Sequence, residues 1–419
     1  MLRFGTMNVP FFRPEIGEDE IAEVVETMRS GWLTTGPRVK RLEAEFAQFV
    51  GAPHALAVNS CTAALHLALE ALGVRAGDVV LVPTMTFAAT AEVVRYLGGI
   101  PLLVDCDPGT SNIDFADATR KIQQLRAGRM HGIPADAPLV GVIPVHVGGF
   151  MVDVADMRTF ANEHGLWIVE DAAHSLPASW REDAGSEWLR CGNATSDITC
   201  FSFYANKTMT TGEGGMITTS SPELAERMRI MSLHGLSLDA WARYSGGRTW
   251  DYKIVAPGFK YNLTDIAAAI GIHQLARAEE MRVDREGMAL RYYDQLGDVE
   301  EIELPARDPN RIHSWHLFPI RLRLDRLTID RNEFLDQLRA RGVGCSVHWR
   351  PLHLHPYYQE TLGWTAEDCP AATTLWNRII SIPIFQGMRD EELAYVVETL
   401  RELCSTYARV PAQAAVHAQ

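Results

Sequence analysis

Two periods of apolar residues alternate along the first 235 positions. At 19–29 and again at 39–50 they recur three and four apart, the spacing of an amphipathic helix. Short apolar runs follow at 55–58, 79–82, 101–104, 140–145, 166–169 and 198–203, most of them separated by helical patterns. Short buried strands alternating with helices predict a mainly parallel sheet covered on both faces. Beyond position 262 the pattern changes. Thr264 is placed to cap a long helix reaching about Leu296, and after it come a strand-like 315–322, a helix at 331–341, a strand-like 344–349 and a last helix at 391–407. This second part reads as a smaller α+β lobe. The expected division is 1–270 for the large lobe, 271–410 for the linking helix and small lobe, and 411–419 for a frayed tail. The stretches 123–138 and 181–196 read as loops.

Composition narrows the function. The chain has 419 residues, 47% hydrophobic and 22% charged, enough to bury a large core, and a formal charge of −14. That charge argues against nucleic acid and membranes as partners, because both reward clustered cations. The amino terminus lacks the basic-then-apolar order of a signal peptide, and no apolar run approaches the ~20 residues that span a bilayer. Seven cysteines are scattered without a CxxC spacing, which fits reduced, cytoplasmic usage.

Three strand ends carry candidate chemistry, and on such sheets ligands sit outside those ends. In "VNSCTAALHLALEALG" a strand turns at Asn59 and Ser60 into a helix over 62–72, whose unpaired N–H groups and dipole suit a phosphate; an ordinary capped helix reads the same way. Neither GxGxxG nor GxxxxGK[ST] occurs there. In "LWIVEDAAHS" four apolar residues lead to Glu170 and Asp171, then to His174. A carboxylate just past a buried strand requires a cationic or hydrogen-bonding partner, or caps a helix. In "FSFYANKTMTTGEGGM" Lys207 stands among small neutral residues, with no carboxylate until Glu213. Low local charge and partial burial favour its neutral, nucleophilic form. A phosphate cradle, an acid and an isolated lysine at the ends of strands of one sheet are what pyridoxal 5'-phosphate requires.

The ordered set "SGWLTTGPRVKRLE", "NSCTAALHLAL", "PTMTFAAT", "VEDAAHS", "FSFYANKTMTTGEGGM" and "GFKYNLTDIAAAIG" resembles the DegT/StrS-type sugar aminotransferases over nearly the whole chain. Within that family the "HGLSLDAW" and "YNLTDIAAAI" segments are similar to the branch that makes UDP-4-amino-4-deoxy-L-arabinose. The resemblance implies a fold-type I pyridoxal phosphate enzyme: an α/β large domain with a mainly parallel seven-stranded sheet between helices, plus a smaller α+β C-terminal domain. It implies that Lys207 is the Schiff-base lysine and proton carrier, that Asp171 pairs with the pyridine nitrogen, that His174 lies near the phenolic oxygen, and that Phe87 stacks on the ring. The phosphate would take the N–H groups of Thr62 and Ala63, beside Cys61, with hydroxyls from Thr62 and Ser202. Asn262 would reach it from a second subunit, making a homodimer with shared sites.

On the substrate side the resemblance implies Thr35, His348, Trp349, Arg350 and Arg243 or Arg248, with 313–318 closing over the cofactor. His348, His353 and His355 do not read as a metal-ligand set, because strand alternation and the break at Pro351 separate them. There are two departures from the family pattern, and the first, in the loops, bears on the acceptor. The 123–138 and 181–196 stretches are longer than in the arabinose branch, and Cys61 stands where glycine is common. The implied reaction is a ping-pong transamination from glutamate, giving 2-oxoglutarate and pyridoxamine 5'-phosphate, to a nucleotide-linked keto-sugar, with a 4-keto acceptor expected. Three rivals are a dehydratase of the same fold, whose members carry histidine in place of the lysine; an aminotransferase for a free cyclitol or antibiotic aminosugar; and a cofactor-binding regulator lacking part of the lysine–aspartate–phosphate set.

Overall fold

The computed structural model describes residues 7–237 and 252–409. Two helices open the chain, α1 (Glu18–Ser30) and α2 (Pro37–Val50), each stopped by a glycine in the left-handed region, Gly31 at φ 75° and Gly51 at φ 80°. Strands and helices then alternate: β1 (His54–Val58), α3 (Cys61–Ala71), β2 (Val79–Pro83), α4 (Ala89–Tyr96), β3 (Ile100–Val104), α5 (Phe115–Arg126), β4 (Leu139–Val142), α6 (Val154–His164) and β5 (Trp167–Asp171). Next come β6 (Ser179–Trp180), β7 (Leu189–Arg190), β8 (Ile198–Ser202), β9 (Gly215–Thr219), α7 (Pro222–Ser232), α8 (Asp265–Ala276) and α9 (Ala278–Leu296). The chain ends with β10 (Ile302–Glu303), β11 (Arg311–Ile312), β12 (Phe318–Leu322), α10 (Arg331–Ala340), α11 (Pro356–Leu362), α12 (Pro370–Trp376), β13 (Ile379–Ile382) and α13 (Asp390–Tyr407).

The main sheet has seven strands in the order β1-β9-β8-β5-β4-β2-β3. β9 runs antiparallel to both neighbours, and the pairs among the other five contiguous strands are parallel. Strands buried on both faces read as continuous apolar runs, and Val79, Val80, Leu81 and Val82 are all 0% exposed. Each such side chain contributes about 1.5–3 kcal/mol relative to exposure. A second sheet, β10-β12-β13, carries its own core around Tyr292, Phe318, Phe334 and Leu400. Packing crosses the expected lobe boundary both ways: Val9 belongs to the second core, whereas Leu352, Tyr358 and Trp364 join the first.

Several expected boundaries move. β9 escaped the periodicity, because its five buried residues, beginning with the second of two paired glycines, show no alternation. The long helix expected from Thr264 to Leu296 is two helices, parted at Arg277, whose φ −100° and ψ 1° leave the helical region. Thr264 does cap α8, its side chain accepting the Ala267 N–H. The run 344–349 forms no strand; Ser346 makes an isolated bridge to Ser381. Gly344 lies against the Pro10–Phe11 backbone, where a Cβ would approach Phe11 N to 2.4 Å. The loop expected over 123–138 starts only after α5 ends at Arg126, and 181–196 contains β7, which with β6 and β11 makes a third small sheet. At 315–322 the strand begins at Phe318, after Trp315 at φ 52°. The tail and the "HGLSLDAW" segment beyond Ser237, with Arg243 and Arg248, lie outside the described residues.

Candidate active site

At the carboxyl ends of β5 and β8 opens a cavity of about 490 Å³. Lys207, Asp171 and His174 all line it, together with Cys61, Thr62, Phe87, Ser202, Glu213, His348 and Trp349.

The lysine sits in a loop whose two ends are pinned. Phe203 N–H donates to Gly214 O at 2.9 Å, and Thr211 N–H returns to Phe203 O at 3.0 Å. The small polar residues of the segment now have a purpose. Thr210 Oγ1 donates to Phe203 O and accepts the Gly212 N–H, while Gly212 takes φ 80°. Lys207 N–H donates to Tyr204 O at 2.9 Å, which fixes the turn that presents its side chain. Burial lowers the amine's pKa from 10.5 to about 8, against the opposing pull of Cys61 and Asp171.

Asp171 ends β5 and is 6% exposed. Its Oδ2 accepts from Thr90 Oγ1 at 2.8 Å and its Oδ1 from the Ala173 N–H at 3.1 Å. Burial raises its pKa, and the Thr90 hydrogen bond is the largest opposing influence. Glu170, on the opposite face of the strand, belongs to a separate buried network: it accepts from His146 Nε2 at 2.7 Å and from Thr195, while His146 Nδ1 accepts the Val152 N–H.

His174 has a determined tautomer. Gly148 N–H donates to its Nδ1 at 3.2 Å, so the ring proton of the neutral form sits on Nε2. Burial, then the positive charge of Lys207, holds its pKa well below 6.5. His316 lies 4.2 Å from it, centroid to centroid, and Trp349 stacks at 5.1 Å. His316, which lies in the 313–318 segment expected to close over the cofactor but was not singled out there, also lines the cavity, with a buried Nδ1 that has no protein partner. Burial brings His348 down to about 4, and its Nδ1 lies 2.9 Å from Ser381 Oγ.

Helix α3 starts at the cavity. Ser60 is its cap and accepts the Ala63 N–H at 3.0 Å. One expected phosphate donor has another partner in this structure. The Ala63 N–H is engaged in capping and Ala63 does not line the cavity, whereas Cys61 and Thr62 do; their N–H groups lie in the first turn, which has no intrahelical acceptor. The neighbouring strand closes tightly on this turn, since a Cβ on Gly215 would stand 2.7 Å from the Ser60 carbonyl. Phe87, 64% exposed, covers another wall.

Three expected residues stand apart. Asn262 Nδ2 donates to Thr35 Oγ1 at 2.7 Å, and Thr35 donates to Leu263 O at 2.5 Å, so the pair forms one unit outside this cavity of the same chain. Asp265 holds that unit by accepting the N–H groups of Gly36 and Val39 at 2.8 and 3.0 Å. Arg350 is exposed and donates to Leu354 O, away from the cavity. His353 bonds Thr84 and Thr373, and His355 approaches Arg350 O, so neither converges with His348.

The residues fit pyridoxal phosphate. A helix start with free N–H groups suits its phosphate, an exposed aromatic suits its ring, and a buried carboxylate bonded on one side by neutral donors suits its pyridinium. A lysine of depressed pKa in the same cavity completes the set, and with a seven-stranded, mostly parallel sheet it defines an enzyme of the fold-type I pyridoxal phosphate class. The profile of the DegT/DnrJ/EryC1/StrS aminotransferase family matches residues 14–401. Spore coat polysaccharide biosynthesis protein SpsC of Bacillus subtilis is 39% identical over 396 residues, 94% of this chain and 97% of that protein. Among solved structures, Spr1654 of Streptococcus pneumoniae in its PMP form is 31% identical with a TM-score of 0.85, covering 95% of this chain and 100% of that one. The sugar aminotransferase CalS13 of Micromonospora echinospora is 27% identical with a TM-score of 0.80, covering 94% of this chain and 99% of that one. The chain belongs to the DegT/DnrJ/EryC1/StrS aminotransferase family and is a pyridoxal phosphate-dependent enzyme of the sugar aminotransferase type.

Proposed function

We propose that the protein transfers the amino group of glutamate to a nucleotide-linked 4-keto sugar in two half-reactions that share one cavity. The reading rests above all on the half-buried Lys207 amine and the buried Asp171 carboxylate lining the same space. When bound, pyridoxal phosphate supplies an electron-withdrawing ring that stabilises negative charge on the carbon bearing the amine. Lys207, with a pKa of about 8, takes a proton from that carbon and returns one on the other side of the transfer. Asp171 stays ionised against the ring nitrogen and keeps it cationic. His174, with its proton on Nε2, would donate to the phenolic oxygen, and the α3 start with Cys61, Thr62 and Ser202 would hold the phosphate.

Thr35 and Asn262 complete the phosphate end of the partner's site in a homodimer; their position outside their own cavity supports this. The sugar enters past His316, His348 and Trp349. No helix among the described residues is long and apolar enough to cross a membrane, and we place the enzyme in the cytoplasm with small-molecule partners. The test is a panel of UDP-, GDP- and dTDP-linked keto-sugars with glutamate, run on the wild type and on Lys207→Ala. Formation of 2-oxoglutarate that depends on one 4-keto sugar and on Lys207 is expected. Turnover by Lys207→Ala at the wild-type rate refutes the mechanism, and amination of free sugars alone refutes the nucleotide-linked acceptor.

A further inference from the structure

The motif "PTMTFAAT" contributes Phe87 to the cavity wall and Thr90 to the Asp171 carboxylate. Two of its threonines form a directed chain. Thr90, in the first turn of α4, is 0% exposed, and its Oγ1 donates to Asp171 Oδ2 at 2.8 Å. A hydroxyl has one proton, and Thr90 gives it to the carboxylate. The 2.6 Å contact between Thr86 and Thr90 therefore runs the other way, with Thr86 as donor. Thr86 is 1% exposed and lines the cavity. Each hydrogen bond polarises the next, so the Thr90 bond to the anion is stronger than a lone hydroxyl would make it. The Ala173 N–H fixes the other carboxylate oxygen.

We propose that Thr90, supported by Thr86, is a positioning residue for the reaction: the two-hydroxyl relay fixes the Asp171 carboxylate in one orientation, with its remaining lone pairs turned toward the ring nitrogen. This deepens the proposed function and rests on the assignment of Asp171 to that nitrogen. The relay also makes the carboxylate a weaker base than burial alone would. The Thr90 and Ala173 hydrogen bonds therefore favour the ionised form against the opposing effect of burial.

The charged and titratable groups around Asp171 are Lys207 beyond β8, Cys200 on β8, Cys61 on α3, and His146 and His174 on flanking turns. None is altered by a change at position 90. Thr90→Val keeps the shape and removes the donor; Thr90→Ser keeps the donor. In the apoprotein, burial already raises the Asp171 pKa above its unfolded value, and loss of the Thr90 bond raises it further. A raised carboxyl costs stability as pH climbs from the unfolded through the folded pKa, so the added Tm deficit of Thr90→Val should be absent below the unfolded pKa and complete above the folded one. Thr90→Ser should show little deficit in either range.

In the loaded enzyme, Thr90→Val should lower kcat for the glutamate half-reaction about 10- to 100-fold, the equivalent of one hydrogen bond to a charged group, with KM little changed. The visible band of the bound cofactor should also titrate at a shifted pH. Thr90→Ser should restore both. A pH-independent Tm deficit together with wild-type titration would reduce Thr90 to packing and overturn the relay. Asp171→Asn separates the two levels. If it turns over and titrates as wild type, the assignment of Asp171 fails. If it is impaired while Thr90→Val matches wild type, the relay alone fails.

Discussion

The amine of Lys207 offers a prediction that is independent of the acceptor sugar. A lysine with its ordinary pKa of 10.5 is neutral in about one molecule in 3,000 at pH 7, whereas at about 8 it is neutral in about one in ten. Burial therefore raises the nucleophilic fraction about 300-fold at neutral pH. The perturbation is pH itself, applied to the apoprotein mixed with pyridoxal phosphate in a stopped-flow spectrometer. The second-order rate of covalent capture should climb tenfold per pH unit and level off near pH 8, the folded-state pKa. Borohydride should fix the label at Lys207. The sign has a second check. Asp171 favours the ammonium, so Asp171→Asn should move the plateau to lower pH, while the capture rate below it rises. A rate that still climbs through pH 10, as for a solvated lysine, would refute the reasoning, as would a plateau unmoved by Asp171→Asn.

The shared-site reading predicts that Asn262→Ala and Lys207→Ala, each deficient alone, regain part of the wild-type activity when their subunits are mixed and exchanged, because one hybrid site then carries both native residues; measured activity that stays at the level of the separate variants counts against an intersubunit site. The tight turn at the phosphate end predicts that Gly215→Ala, whose Cβ would stand 2.7 Å from the Ser60 carbonyl, displaces the start of α3. Equilibrium dialysis should find pyridoxal phosphate held at least about tenfold more weakly, with a Tm loss consistent with about 1–3 kcal/mol of overpacking; unchanged retention would mean that the turn gives way without moving the helix.

What the sequence disclosed and what it concealed divide along physical lines. Strands buried on both faces leave continuous apolar runs, and six of the seven were legible that way; β9 was not, because GMITT mixes threonines into a fully buried strand whose hydroxyls bond to the backbone of neighbouring loops. Asp171 and Lys207 were legible because a carboxylate and an ammonium are anomalous beside apolar runs. The break at Arg277 was not, because good helix formers continue straight through it and tertiary packing decides the bend. The same holds for Gly344–Trp349, an apolar–polar alternation that lies against the amino-terminal segment and reaches β13 only through the single Ser346–Ser381 bridge.

The concealed part of the site shares one property: its residues are neutral and polar, and their roles depend on which neighbour holds their proton. The Ala63 N–H, which the resemblance assigned to phosphate, donates to Ser60 Oγ in this structure, and only the geometry of the cap shows that competing partner. His174 became a donor into the cavity once the Gly148 N–H was seen on its Nδ1. Thr86 and Thr90 are unremarked threonines until the 2.6 and 2.8 Å contacts order them into a chain ending on Asp171. Charge in an apolar setting can be read from one dimension, because the setting is written in adjacent residues. The direction of a hydrogen bond cannot, because it is settled by partners 81 positions apart in the case of Thr90 and Asp171. A sequence of this family therefore announces its lysine and its acid, and leaves the apparatus that tunes them to the folded chain.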